Sequence, residues 1–313
     1  MIKPDDSSLD PDELRAVEER ARKLLDRASA WKVFPTPVDD IVAAAKLKLA
    51  PSSLFDPRRL MAYIQEKTAG TANLVKSAIS KIFGLCDVEE SVIHIDSTVA
   101  QSKQNFLKLH ETGHHELPTH RKLFKFFQDC DKTLAPETAD RFEREANNFA
   151  RFALFQGDTY RQYAADSKFT IKTPMNLAKK FGASVYASTR EFARTNFREC
   201  VVYILEPIEF APGVGARAHV RRVEVSPSYA IKFGYPADTV ITLDHMLGPV
   251  LPIGRRMTRP TTLFVADRNG DRHECLAEAF DTTWNILVLL YPVKALTAST
   301  VILPSGFKEV AAT

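Results

Sequence analysis

The chain has 313 residues, 45% hydrophobic and 26% charged, enough for a substantial core and two domains. Its 42 basic and 39 acidic residues leave a formal charge of +3, so composition gives no broad electrostatic case for nucleic acid or an anionic membrane surface. The opening MIKPDDSSLDPDE lacks the apolar core of a signal peptide, and the longest apolar run, Trp284 to Val293, is about half of a membrane span.

Asp10-Pro11-Asp12-Glu13 reads as a helix start: an Asp N-cap, Pro at the first helical position and acidic residues in the first turn. Leu14, Val17, Ala21, Leu24 and Leu25 supply its apolar stripe, so residues 1–30 form an N-terminal helical extension. Phe34-Pro35-Thr36-Pro37 breaks the chain, and a second helix is expected from Val38 to Leu49. After a turn region at Pro51 to Pro57, Arg59 to Leu85 is mostly helical in pattern, interrupted at Gly70 and Gly84. Ser91 to Ser97 is a short β-branched run expected as a strand, either an exposed edge that would pair with an extended peptide or an ordinary core strand. His94 within it reads as a packed or solvated histidine.

The chemistry concentrates in SKQNFLKLHETGHHEL, Ser102 to Leu117, which contains H-E-x-x-H. Residues four apart on a helix lie about 40° apart around the axis, so His110 and His114 can present nitrogens to one metal ion. Glu111 flanks the pair closely enough to act as base on a water at that ion. Phe106, Leu109, Gly113 and Leu117 follow three- and four-residue steps, placing the motif on an amphipathic helix with Ser102 as its expected N-cap. Gly113 costs helix stability but lets another segment approach closely.

His115 is turned about 100° from His114, so it does not share the ion. His120 follows Pro118 and reads as a surface histidine, with donation to an oxyanion as the alternative. The basic aromatic stretch Arg121 to Lys132 has the spacing of a helix packed on a core. Pro136 and Glu137 then open another helix with Phe142, Ala146, Phe149, Ala150 and Ala153 on its apolar face. Glu145 falls inside that arc, about 60° from Phe142 and 40° from Phe149, whereas Glu143 and Arg144 point progressively away. A carboxylate facing a core needs a partner, either a metal or an arginine. With His110 and His114 it would give a two-nitrogen, one-oxygen set and leave a fourth position for water.

These segments together resemble the ImmA/IrrE family of metallopeptidases. The resemblance rests on Gln104-Asn105-Phe106, on His110 to His114, and on Glu145-Ala146-Asn147-Asn148-Phe149-Ala150, and extends over roughly Trp31 to Asn196. It implies an α+β fold whose first part is a mostly helical zincin-like metallopeptidase domain with a small sheet. It also implies zinc bound by His110, His114 and Glu145, with Glu111 as catalytic base and a protein substrate such as a helix-turn-helix repressor in a stress, phage or mobile-element response. Manganese or iron would fit the same ligands. Leu109 and Thr112 depart from the Ala and aliphatic residue usual in the family, and Arg151 to Gln156 departs from its Leu-Leu-Met-Pro-like tail.

The domain organisation expected is an extension over 1–30, the peptidase domain over 31–197 and a β-rich domain over 198–313. The helix pair over 175–196 has a faint helix-turn-helix pattern, but Ser188 and Glu191 fall where such a unit needs apolar residues, so a structural pair is favoured over a DNA reader. From Cys200, VVYIL, HVRRVEV, TVITL, TTLFVA, HECLAEAF and WNILVLL read as strands, with a hairpin turn at Asp267 to Asp271. His219, His245 and His273 are too dispersed for a second metal site. Cys86, Cys130, Cys200 and Cys275 lack C-x-x-C spacing, which fits reduced thiols in a cytoplasm rather than a disulfide framework. Two rival functions remain at this level: a metal-stabilised antirepressor that sequesters without cutting, and a DNA-binding regulator.

Overall fold

The structure is a computed structural model that describes residues 8–50, 84–87, 91–95, 98–120, 136–213 and 215–293. The turn and mostly helical stretch expected over 51–83 and the basic aromatic segment over 121–132 lie outside the described residues. The chain divides into two compact units, Met1–Phe197 and Arg198–Thr313.

The first unit opens with α1 (Pro11–Arg27), with Pro11 and the acidic pair Asp12 and Glu13 in its first turn. Proline's fixed φ and missing N–H suit that position, and the acidic side chains meet the positive end of the helix. Val17, Ala21, Leu24 and Leu25 are buried. The second helix, α2 (Val38–Ala44), stops earlier than the expected Leu49. Lys46 turns the chain at φ 61° and Lys48–Leu49 becomes β1. Its backbone takes sheet partners instead of helical ones, with Lys48 N–H donating to Ser91 O at 2.9 Å and Ala50 N–H to Ile93 O at 2.8 Å.

A three-stranded sheet forms in the order β1-β3-β2, from β1, β2 (Gly84–Asp87) and β3 (Val92–Ile95). The strand expected at Ser91 to Ser97 is therefore present, but it is central, parallel to β1 and antiparallel to β2. Both of its backbone edges are engaged, so of the two readings it is the core strand and not an edge for a peptide.

The motif helix α3 (Gln101–Glu116) begins after Ala100 rather than at Ser102. The Ala100 carbonyl already accepts from Lys103 N–H at 2.8 Å and Gln104 N–H at 3.0 Å, leaving Ser102 inside the first turn. It packs on α4 (Pro136–Phe155), the helix opened by Pro136 and Glu137. Behind them lie α5 (Asp158–Ala165), α6 (Lys172–Phe181) and α7 (Val185–Thr195). Gly182 ends α6 at φ 71°, and Ser184 caps α7 by accepting from Ala187 N–H at 3.1 Å. Ser188 and Glu191 point inward: Ser188 donates to Pro174 O at 2.6 Å, and Glu191 pairs with Arg151 at 3.2 Å. The helix pair is thus packed into this unit through the two polar positions that made its pattern irregular.

The second unit is a seven-stranded antiparallel sheet, ordered β5-β6-β4-β10-β9-β8 with β7 on β6. Its strands are β4 (Val201–Leu205), β5 (Glu209–Ala211), β6 (Gly215–Val225), β7 (Val240–Thr242), β8 (Thr261–Ala266), β9 (Arg272–Asp281) and β10 (Ile286–Pro292). Each of the six runs read as strands contributes to one of these. The near-continuous apolar sequences of β4 and β10 match burial at every position, whereas β8 alternates between half-buried and exposed residues. The β8–β9 hairpin turns at Asp267 to Asp271, where Gly270 adopts φ 88° and Asp267 accepts from the N–H groups of Asn269 and Asp271. Among the described residues no helix is long and apolar enough to cross a membrane.

Candidate metal centre

Two helices build the site. On α3, His110 and His114 stand one turn apart with their Nε2 atoms 3.1 Å from each other, and both rings are buried. On α4, Glu143 brings one carboxylate oxygen to 3.3 Å from His110 Nε2 and the other to 3.5 Å from His114 Nε2. The helices meet closely because Gly113 lies against Phe149: a Cβ on Gly113 would sit 3.1 Å from Phe149 Cβ. That is the close approach expected of Gly113.

The carboxylate facing the imidazoles is Glu143, not the expected Glu145. Glu145 is indeed turned inward, 12% exposed, but its Oε2 accepts from His120 Nε2 at 2.6 Å and its Oε1 lies 3.6 Å from Arg141. Glu145 is thus the inward-facing acid expected from the helical wheel, with His120 and Arg141 as its contacts. Glu143 is 60% exposed at the rim of the site, and an argument from burial passes over such a residue. The signal that could have found it is its place four residues before Asn147, one turn away on the face toward α3.

His120 is also placed differently from the surface position expected. It is fully buried, stacked on Phe142 with ring centroids 3.9 Å apart, and its Nδ1 lies 3.0 Å from His114 Nδ1. His115 is buried outside the three-residue cluster. Glu111, the expected base, is half-buried beside His110, close enough for its charge to favour the protonated ring.

Each imidazole has an outer partner on Nδ1. Asn147 Oδ1 accepts from His110 Nδ1–H at 3.1 Å, which leaves the His110 Nε2 lone pair pointing into the site. Burial disfavours the charged form of both rings. In His110 the hydrogen bond to Glu143 and the charges of Glu111 and Glu143 outweigh burial and raise the pKa above its ordinary value. In His114 burial prevails and the pKa falls to about 4. Burial pushes the Glu143 carboxyl up, but hydrogen bonds from His110 and His114 hold it well below the usual carboxylate range.

The three donor atoms lie within 4.8 Å of one another and could hold a metal ion. Two atoms each bound at 2.0–2.1 Å to a tetrahedral ion stand roughly 3.3 Å apart. The 3.1 Å between the two Nε2 atoms and the 3.3 Å from His110 Nε2 to one Glu143 oxygen fit that spacing, and the second Glu143 oxygen lies 3.5 Å from His114 Nε2. Two nitrogens and one oxygen is a catalytic rather than a closed structural donor set. In the second unit His219, His245 and His273 pair singly with Glu209, Asp238 and Asp267.

A small cavity of about 50 Å³ shares Asn147 with this centre and is lined among others by Phe106, Arg151, Arg190 and Arg194. The Asn147 that orients His110 thus also forms part of its wall.

No curated protein matches the chain. A solved structure described as a Mycobacterium tuberculosis transcriptional regulator is similar over 88% of this chain and 75% of its own, at 11% identity and a TM-score of 0.47. Residues 72–189, which contain α3, α4 and all three facing donors, match the family model of the peptidase M78 group, described as the IrrE N-terminal-like domain. The stretch that carries the two histidines and Glu143 is thus similar to the IrrE N-terminal-like domain of the peptidase M78 group.

Proposed function

We propose that this chain is a zinc-dependent endopeptidase that cuts one or a few specific protein partners. The observation that carries the reading is the convergence of His110 Nε2, His114 Nε2 and a Glu143 carboxylate at 3.1–3.5 Å. Electron-rich atoms at that spacing repel one another unless a proton or a metal cation lies between them. Zinc suits two imidazoles and one carboxylate, and manganese or iron would use the same donors.

A bound zinc would supply Lewis acidity, lowering the pKa of a water and polarising the scissile carbonyl. The chain's own residues do the rest. Glu111 takes the proton of the attacking water as the C–O bond forms and returns it to the amine nitrogen as the C–N bond breaks. Asn147 keeps His110 in the tautomer that leaves Nε2 free. The adjoining cavity, with arginines in its wall, would receive a side chain flanking the scissile bond. The resemblance to the ImmA/IrrE family supports a helix-turn-helix repressor as the substrate, acting within a stress, phage or mobile-element response. The buried free thiols Cys200 and Cys275 suit a reducing compartment.

Glu111→Gln is the decisive variant. It should retain zinc at one equivalent, still bind the repressor encoded beside the gene, and lose its cleavage by 10²-fold or more, roughly the weight of a general base. Relief of repression that survives the substitution would instead identify an antirepressor acting by sequestration.

A further inference from the structure

We propose that Glu145 and His120 form a positioning relay that fixes the ring orientation and tautomer of His114, making Glu145 an outer support of the metal centre rather than a ligand. The proposal rests on the three-donor site described above.

Two short contacts fix where the protons sit. A carboxylate can only accept hydrogen bonds, so the 2.6 Å contact between Glu145 Oε2 and His120 Nε2 requires the proton on His120 Nε2. With that single proton on its ring, His120 has its lone pair on Nδ1. That atom lies 3.0 Å from His114 Nδ1, which must supply the proton. His114 therefore carries its proton on Nδ1 and its lone pair on Nε2, the atom that faces His110 and Glu143. Reversing the chain would put a proton on His114 Nε2, in the middle of the donor set. One carboxylate, two bonds away, decides which nitrogen is available.

The surroundings hold the relay still. His120 is fully buried and stacked on Phe142, the residue just before Glu143. Arg141, one turn before Glu145 on the same helix, lies 3.6 Å from the other Glu145 oxygen and 3.9 Å from Glu13 of α1. The helix that carries the facing carboxylate thus also carries the terminus of the relay.

The test measures zinc affinity by chelator competition in the full chain and the absorption spectrum of its cobalt-substituted form. Partners that orient a ligating imidazole are worth about 10–100-fold in metal affinity. His120→Phe keeps the ring against Phe142 but removes both polar atoms, and should weaken zinc binding 10–100-fold. His120→Asn keeps an oxygen near the Nδ1 position and should recover most of that loss. Glu145→Gln should weaken binding about tenfold while the saturated cobalt spectrum keeps the wild-type band pattern. Glu143→Gln should change that pattern.

Wild-type affinity in His120→Phe, or a changed cobalt spectrum in Glu145→Gln, overturns the relay; the second would make Glu145 a ligand. If His120→Phe does not fold, Glu145→Gln decides alone, and unchanged affinity overturns the proposal. Failure of the wild type to bind one equivalent of zinc overturns the three-donor site itself, a result distinct from either.

Discussion

Gly113 and Phe149 meet where the two ligand-bearing helices cross, and a methyl group on Gly113 would come within 3.1 Å of Phe149 Cβ and 3.2 Å of its ring. The contact is with an atom fixed by backbone, in a side chain that is fully buried, so the obstacle cannot rotate away. Gly113→Val should therefore separate the helices, destabilising the first unit by about 2 kcal/mol and weakening metal binding. Urea unfolding and zinc titration of the same variant check both effects, and unchanged affinity would show that the donors do not depend on this crossing.

Metal should act as a ligand of the folded first unit. At a free zinc concentration a hundred times Kd, linkage adds about 2.7 kcal/mol of stability, and a chelator should remove it. Glu143→Ala should abolish the shift. Thermal unfolding with and without zinc, in wild type and variant, reads the result directly.

The end of α3 is held from α1. Glu116, nearly buried at the last turn, pairs with Arg27 at 2.7 Å and Arg20 at 3.3 Å, and Arg20 Nε also donates to the Glu116 carbonyl at 2.9 Å. Removing both arginines leaves a buried carboxylate uncompensated, a change that costs 3–5 kcal/mol in a fully buried pair. Because both arginines are partly exposed, about 2 kcal/mol is expected for Arg20→Ala with Arg27→Ala. Glu116→Gln in that background should recover part of it, measured by urea unfolding.

The second unit should lose stability in alkali. Burial pushes the Cys200 thiol up to about 12 and the Cys275 thiol up to about 11, from an ordinary 9.0. Burial, reinforced by Glu278, raises the Tyr291 hydroxyl to about 12. A folded pKa above the unfolded one gives stability that is complete below the unfolded value and lost as pH rises toward the folded value. Urea midpoints should therefore hold steady to about pH 9 and fall beyond it. Neither buried thiol should react with a disulfide reagent at pH 8 until the chain is unfolded.

The elements whose patterns are dominated by burial were the most legible in sequence. The apolar stripe of α1, the continuous apolar runs of β4 and β10, and the glycine-bearing turn between β8 and β9 all correspond to observed elements. Elements decided by a distant partner were not. Nothing local says that Lys48 and Leu49 leave a helical pattern to pair with β3, or that β3 has a neighbour on each side. The site divides the same way. His110 and His114 are neighbours by helical spacing alone, whereas choosing between Glu143 and Glu145 requires knowing that His120 returns into the core and occupies Glu145. Burial identified a charged group in need of compensation, and chain topology decided what compensates it.

The unequal exposure of the three donors has a directional consequence. Both imidazoles are enclosed, while the Glu143 side chain is 60% open to solvent. Among the described residues, the side of the donor set that meets solvent is therefore the one carrying Glu143. A molecule resting against that carboxylate would cover the set while leaving every donor in place.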